Sequence, residues 1–289
     1  MVECRGCRLI RLDPWPAPEE LHRYYPSSYY YSGEGDPGAG LSLAYRRFVL
    51  RDHLRFVERA LRDCGEQGVV LDVGCGGGLF LQMLEERGTG GVSRPIAGLD
   101  FSLDAARLAW KHSGVPVVCA SLTQAPFAAE SCAAVTMFHV LEHLYDPAAY
   151  LESAHRLLRP EGRLIAQVPN AASWQFLLLG ARWSGVDVPR HLIDFRARDL
   201  DVLLDACGFE VLRHKYFSLR DNPAGLATSL ATSLNPMTRY VQGVPEKPWE
   251  HLAKDLAYAA ITAACLPFTL LEAACRAGST VMVEARKKS

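Results

Sequence analysis

The sequence predicts an α/β fold built on one doubly wound, mostly parallel sheet of seven strands, with a helical insertion before the last strand. Two observations lead to this prediction. Short apolar runs typical of buried strands alternate with amphipathic segments of roughly ten residues, which is the pattern of β-α-β units with right-handed crossovers. The first of these runs, residues 69–73, ends in the glycine-rich turn Gly74–Gly78, where glycine lets the backbone turn sharply and approach a ligand.

The remaining elements follow from periodicity and from residues that begin or end helices. Apolar residues at helical spacing over 41–64 predict an amphipathic helix before the first strand. Ser102 and Asp146 are natural N-caps, and Gly208 is a natural helix terminator. The predicted elements after the first helix are strand 69–73, helix 78–87, strand 96–100, helix 102–111, strand 115–119, strand 134–138, helix 147–159 ended by Pro160–Gly162, strand 163–168, helix 197–207, strand 209–217 and strand 278–285.

Composition limits the classes of function. A chain of 289 residues with 49% hydrophobic residues can bury a large core. The formal net charge of −1 gives no basic field, so we expect no nucleic-acid partner. Nine cysteines without a regular framework predict a reducing compartment, and the first residues lack the apolar core of a signal peptide. The sequence therefore predicts a cytoplasmic protein.

Two segments lie outside the α/β pattern. Residues 1–40 form a Cys- and Tyr-rich appendage, in which Cys4 and Cys7 have the spacing of half a zinc site. Four ligands are needed for a closed structural site, so a plain turn is favoured and zinc is the alternative. The tyrosine-rich run 14–31 either covers the edge of the domain or forms part of the wall of the substrate pocket. Residues 220–276 form the insertion, which contains sixteen residues without formal charge, 256–271. This run is shorter than the roughly 20 residues of a bilayer span, so it predicts a buried helix, a homodimer contact or a helix that touches a membrane surface.

The glycine turn favours a particular cofactor. The dinucleotide fingerprint G-x-G-x-x-G would need glycine where Leu79 stands, whereas Gly78 gives G-x-G-x-G, which weakens the nicotinamide interpretation. Asp72 precedes the turn and can accept hydrogen bonds from a cationic amino-acid group. Asp100 ends the next strand, 22 residues beyond Gly78, where a ribose-binding carboxylate belongs in such units. These features suit S-adenosylmethionine.

Five segments resemble one family, namely LDVGCGGG, GLDFS, FHVLEHLYDP, QVPN and PRHLIDF. They are similar to class I S-adenosylmethionine-dependent methyltransferases, and in particular to the small-molecule branch with the quinone-biosynthesis O-methyltransferases. The resemblance implies a Rossmann-like methyltransferase domain over 41–219 and 277–289, with the last strand antiparallel to the strand before it. The cofactor residues that the motif matches and the residue pattern predict together are Asp72, Gly74, Cys75, Gly76, Gly78, Asp100, Phe101, Ser121, Leu122 and His139. Ser121 departs from the acid that the family usually has there.

The acceptor side is predicted at the carboxyl ends of the strands, where open parallel sheets bind ligands. The loops after the fourth and fifth strands carry His143 and His191, our candidates for a general base, and the aromatic residues Trp174, Phe176 and Trp183. We therefore expect methyl transfer to a small, largely apolar or ring-bearing acceptor, with O-methylation favoured.

Three alternatives remain at this stage. One is a scaffold or regulator that binds the cofactor without turnover, and another is a nicotinamide oxidoreductase. The third arises because His139–His143 has the H-x-x-E-H pattern of certain zinc proteases. That pattern needs a helix through both histidines, whereas here it follows an apolar strand, so we expect no metal.

Overall fold

The structure is a computed structural model that describes residues 1–25, 39–64, 67–88, 94–243 and 246–288. The end of the tyrosine-rich run expected to cover the domain edge or the substrate, residues 26–31, lies outside these residues. The strands of the described residues are β1 (Val2–Glu3), β2 (Ile10–Arg11), β3 (Val69–Val73), β4 (Ile96–Asp100), β5 (Val117–Cys119), β6 (Cys132–Phe138), β7 (Leu158–Pro169), β8 (Ile193–Asp194), β9 (Phe209–Lys215) and β10 (Thr280–Lys287). The helices are α1 (Ala39–Arg62), α2 (Leu79–Arg87), α3 (Leu103–Ser113), α4 (Pro147–Leu157), α5 (Trp174–Leu179), α6 (Ala197–Ala206), α7 (Asn222–Leu230), α8 (Pro236–Val241) and α9 (Pro248–Ala274).

The chain forms two compact units, which are described separately. The sheet unit consists of Tyr30–Val168, Arg198–Lys215 and Met282–Ser289. The helical unit consists of Met1–Tyr29, Pro169–Ala197 and Tyr216–Val281. The sequence-based division had assigned 169–197 to the methyltransferase domain, whereas these residues cluster with the chain's first residues and with 216–281.

The sheet unit contains the predicted seven-stranded sheet, in the order β5-β4-β3-β6-β7-β10-β9. The pairs β3–β4, β4–β5, β3–β6 and β6–β7 are parallel, and β10 runs antiparallel to β9. The predicted fold class is confirmed, including the antiparallel last strand. In an order of this kind the carboxyl ends of the parallel strands meet at one edge, and this edge positions the glycine turn.

The core of this unit lies between the sheet and the helices α1 and α2. Leu54, Leu61 and Leu81 are fully buried, and His53 packs edge-on against Phe138 at a centroid distance of 5.0 Å. Apolar side chains at helical spacing on α1 therefore form the buried stripe that the sequence predicted.

One predicted boundary is wrong. Pro160–Gly162 was expected to end a helix over 147–159, but α4 ends at Leu157 and β7 begins at Leu158. The proline and glycine sit in a bulge of the strand instead: from Cys132 to Ala134 on β6 the partner on β7 advances from Leu158 to Arg163, and Glu161 takes a positive φ of 63°. Proline and glycine are tolerated at bulges as they are beyond helices, so composition alone did not separate the two cases.

The helical unit holds a small three-stranded sheet that sequence analysis missed, in the order β1-β2-β8. Cys4 and Cys7 lie in the turn between β1 and β2, where the Arg8 amide bonds the Cys4 carbonyl at 2.9 Å. A plain turn without zinc stays our prediction for these two cysteines. The predicted insertion forms α7, α8 and α9, and the Tyr258 hydroxyl of α9 lies 2.8 Å from that of Thr228 on α7. Helix α9 begins earlier than the uncharged run and continues through Pro267.

Candidate functional site

The glycine turn is fixed to the neighbouring strand by backbone hydrogen bonds. The Gly74 amide donates to the Leu99 carbonyl of β4 at 2.7 Å, and the Cys75 amide donates to the same oxygen at 3.2 Å. The Gly78 amide donates to the Cys75 carbonyl at 3.0 Å and closes the turn before α2. Burial raises the pKa of the Cys75 thiol, which therefore stays protonated, and the residue serves the turn through its backbone.

Three of the four glycines of the turn, Gly74, Gly76 and Gly78, each satisfy a different requirement. All three have positive φ, which disfavours other residues. A Cβ on Gly74 would lie 2.6 Å from the Val140 side chain, and a Cβ on Gly78 would lie 2.6 Å from the backbone of Ala109 on α3. Around Gly76, by contrast, no heavy atom of the described residues other than its two chain neighbours lies within 4 Å of the Cβ position. Gly76 therefore presents an open backbone face that a ligand can approach closely.

Asp100 lies beside this open face. Its carboxylate accepts hydrogen bonds from the Gly76 amide and the Ser102 amide, both at 2.9 Å. Only 3% of the residue is exposed, and burial raises the pKa of its carboxyl. A carboxylate has about four acceptor positions, so two amides leave capacity for ribose hydroxyls. The Asp100 carboxylate can thus hold the turn in place and bind a ligand at the same time.

Asp72 is buried to the same extent as Asp100. It is 4% exposed in β3, and the Thr136 hydroxyl of β6 donates to its carboxylate at 2.6 Å. Burial is the main cause that raises the pKa of this carboxyl to about 7. Direct contact of Asp72 with the cofactor stays a prediction, and Thr136 is a partner that sequence reasoning missed, because an apolar strand with one threonine gives no signal of it.

The residues predicted around the adenine differ in exposure. Phe101 follows Asp100 and is 59% exposed, so its ring offers an accessible apolar surface. Leu122 is fully buried. The Ser121 hydroxyl bonds the hydroxyls of Thr123 at 2.9 Å and Tyr150 at 3.0 Å. Tyr150, on α4, is a second residue that sequence analysis did not select.

His139 is held on both sides of its ring. It follows β6 with a positive φ of 57°, its Nδ1 lies 3.0 Å from the Glu142 carboxylate, and its Nε2 lies 3.0 Å from the Gln167 side-chain nitrogen on β7. The Glu142 carboxylate can only accept when ionised, so Nδ1 carries the proton. The paired ring suits a positioning role beside a ligand.

His143 ends a single 3₁₀ turn, Leu141–His143, and its amide bonds the Val140 carbonyl at 3.1 Å. The zinc-protease alternative required one helix carrying His139 and His143 on the same face. Because His139 is the residue after a strand, that arrangement is not formed here.

His191 belongs to the helical unit and is positioned by its own loop. Its Nδ1 lies 2.8 Å from the Gly185 carbonyl, and its amide bonds the Asp187 carbonyl at 2.8 Å. Since a carbonyl only accepts, Nδ1 carries the proton and Nε2 is the nitrogen that can take one up. In the same unit the Trp183 ring is buried and packs against Phe176 at 5.5 Å.

The family model of the methyltransferase domain matches residues 45–214, more than half of the chain. A ubiquinone biosynthesis O-methyltransferase of Pseudomonas paraeruginosa is 34% identical over 135 residues, which are 44% of this chain and 56% of that protein. A Mycolicibacterium smegmatis protein, named as a probable S-adenosylmethionine-dependent methyltransferase, is 29% identical over 173 residues, 58% of this chain and 62% of that one. The chain thus spans little more than half the length of these curated relatives.

Solved structures show the same fold. The 1,6-didemethyltoxoflavin-N1-methyltransferase of Burkholderia thailandensis, crystallised with 1,6-didemethyltoxoflavin and S-adenosylhomocysteine, has a TM-score of 0.53 at 19% identity, covering 97% of this chain and 95% of that one. An S-adenosylmethionine-dependent methyltransferase of Archaeoglobus fulgidus has a TM-score of 0.52 at 18% identity, covering 83% and 94%. The family match over residues 45–214 establishes that the chain belongs to the methyltransferase domain family, and the solved structures show that it has the same fold.

Proposed function

We propose that this protein transfers a methyl group from S-adenosylmethionine to the oxygen of a small, largely apolar or ring-bearing acceptor. The observation that carries the proposal is the open face of Gly76, whose amide is bonded to the buried carboxylate of Asp100. An adenosyl ligand fits this arrangement. Its ribose hydroxyls can donate hydrogen bonds to the carboxylate, and the ligand can pass close to the glycine backbone because no side chain is in the way.

The relatives support a ring-bearing acceptor. One is named for ubiquinone biosynthesis, and the Burkholderia enzyme was crystallised with a ring-bearing substrate that its name says is methylated on nitrogen. We favour oxygen because the relatives with the higher identity are named O-methyltransferases.

The chemical demands on the chain are modest. When bound, the cofactor supplies an electrophilic methyl group on a sulfonium that leaves as a neutral thioether. The chain has to hold the acceptor in line with that group, exclude water and take up the hydroxyl proton. His143 and His191 are the two candidates for this base, and the Gly185 carbonyl holds His191 in the tautomer whose Nε2 accepts a proton.

Calorimetry with a matched pair of variants tests the cofactor site. Gly76 and Gly114 both have positive φ and open space at the Cβ position, so alanine costs roughly 1–2 kcal/mol of backbone strain at either site. We expect Gly76→Ala to lose binding of S-adenosylhomocysteine and Gly114→Ala to keep it, with similar loss of stability. Equal affinities in the two variants, or tight binding of NAD by the wild type, would contradict the proposed site.

The acceptor and the base require an activity measurement. Labelled S-adenosylmethionine and a metabolite extract, analysed by mass spectrometry, should give a methylated ring-bearing product. Replacing the base with alanine should lower kcat by roughly 10²- to 10⁴-fold and leave the Kd of S-adenosylhomocysteine nearly unchanged. If His143→Ala and His191→Ala both kept the wild-type rate from about pH 6 to pH 9, a range that spans the histidine pKa, neither would be the base.

We keep the cytoplasm as the proposed place of action. All nine cysteines lie within the described residues and are free thiols, which accords with a reducing compartment.

A further inference from the structure

Helix α9 exposes apolar residues where a water-facing helix has polar ones. Between 256 and 271, each exposed residue is an alanine, a leucine or Pro267. Leu256 is 62% exposed and Leu270 is 52% exposed. We call these exposed residues the outer face of α9. The helix has 27 residues with a mean hydropathy of 1.6 over its most apolar window, of which 17% is buried, and so is long and apolar enough to cross a membrane.

The opposite side of the helix, which packs within the helical unit, carries its polar groups. The Tyr258 hydroxyl bonds the Ala224 carbonyl of α7 at 3.0 Å. The Gln175 side chain of α5 donates to the fully buried Glu272 carboxylate at 2.9 Å. Burial raises the pKa of the Glu272 carboxyl. Polar residues inside and apolar residues outside reverse the pattern of a helix at the surface of a protein in water.

We propose that the outer face of α9 docks on the surface of a lipid bilayer, with the helix lying in the plane of the interface. Charge supports this occupant: no formal charge occurs between Leu256 and Leu271, Lys254 and Asp255 precede this stretch, and Glu272, which is buried, and Arg276 follow it. An uncharged face limited by charged residues at its ends matches the acyl region and its polar boundary.

A neighbouring helix extends the apolar surface. Trp174 of α5 packs on Phe268 of α9 at a centroid distance of 6.1 Å. Leu177 and Leu178, three and four residues further along α5, are both largely exposed. Exposed leucines on two packed helices give the patch a breadth that a single surface leucine would not.

Two other occupants fit the observations less well. Protein–protein interfaces, including one with a second copy of this chain, typically contain about one hydrogen bond per 100–200 Å². The alanine, leucine and proline side chains of the outer face have no group that could form one. If α9 spanned the membrane, the side of the helix that carries Tyr258 and Glu272 would be exposed to lipid, and the hydrogen bonds of these residues to α7 and α5 would break. Docking in the interface keeps these bonds and covers the leucines.

Vesicle sedimentation of the full chain tests the proposal, with vesicles of phosphatidylcholine alone and of phosphatidylcholine with phosphatidylglycerol. Wild-type protein should bind both, at low and at high salt. The double variant Leu256→Glu/Leu270→Glu should lower the partition coefficient by roughly 100-fold or more, because two buried leucines become two charges. Ala260→Glu, a single change in the middle of the outer face, should also weaken binding. Val202→Glu, on an equally exposed apolar position of α6, is the matched control and should bind like the wild type.

Each variant is first checked for wild-type circular dichroism and Kd for S-adenosylhomocysteine, so that loss of binding is separated from loss of fold and from failure of the proposed function. Wild-type protein that stays in the supernatant overturns the proposal. So does a vesicle-free dimer that the double variant converts to a monomer, since a second copy then covers the face. Binding that needs phosphatidylglycerol and disappears at high salt would show that basic residues, and not the outer face of α9, dock on the membrane. Resistance of the bound protein to alkaline extraction would show that the helix spans the bilayer.

Discussion

Replacing Asp72 with asparagine should stabilise the protein at neutral pH. The carboxyl is buried in β3, receives one hydrogen bond from Thr136, and faces the charge of Asp100, which also raises its pKa. Asparagine has the same shape and its oxygen can still accept from Thr136, so the change removes the buried charge and little else.

The magnitude follows from the pKa of Asp72, which is about 7 in the fold against an ordinary value of 3.8 for an aspartate. Between these two pH values the native state binds more protons than the unfolded state, so the free energy of unfolding falls as pH rises. At 1.36 kcal/mol per pKa unit the ionised form costs at most about 4 kcal/mol, a cost absent below pH 4 and complete above pH 7. The stability advantage of Asp72→Asn should therefore grow by roughly 2–3 kcal/mol between pH 5 and pH 8.

Urea unfolding of wild type and variant at several pH values between 5 and 8 measures this difference. Asp63→Asn, at an exposed position of the same unit, is the control. The difference in free energy of unfolding between this variant and the wild type should stay constant over this pH range. A constant difference between Asp72→Asn and wild type across the range would refute the reasoning, because it would mean that Asp72 does not titrate there.

Two further substitutions test groups that the structure links. Asp100→Ala should weaken S-adenosylhomocysteine by roughly 1.5–3 kcal/mol and, because the Gly76 and Ser102 amides lose their acceptor, also lower the free energy of unfolding by roughly 1–3 kcal/mol; calorimetry and urea unfolding measure the two losses, and unchanged stability would remove Asp100 from the turn. Glu284→Gln should destabilise the fold by roughly 3–5 kcal/mol, because it leaves the buried Arg163 guanidinium without its carboxylate; a loss below about 1 kcal/mol in urea unfolding would show that the pair is solvated.

The sequence predicted the parts of the fold that repeat. The alternation of strands and helices is a local signal. The side chains of the predicted N-caps also accept the expected hydrogen bonds, Ser102 from the Ala105 amide and Asp146 from the Ala149 amide. The small sheet of the helical unit was missed because β1, β2 and β8 have two residues each, too short for any period to appear. Pairing of Ile10 with Asp194 joins residues far apart in the chain, and nothing local indicates it.

The sequence predicted part of the candidate site as well. The glycine turn and Asp100 follow from spacing, because the turn and the next strand end have fixed places in such units. The groups that tie the site together did not follow: Thr136 faces Asp72, and Gln167 faces His139, through the register of parallel strands. Register is set by packing of the whole sheet, which one sequence does not display.

The place of β10 has a consequence for synthesis of the protein. This strand lies between β7 and β9 in the sheet, yet it is the latest of the seven in chain order. Until residues 280–287 leave the ribosome, β7 has an open hydrogen-bonding edge and β9 has no neighbour in the sheet. The apolar α9 emerges just before that strand, so nascent chains pass through a stage that combines an open sheet edge with an uncovered apolar helix. Chaperone binding or aggregation during expression should therefore concentrate at this stage.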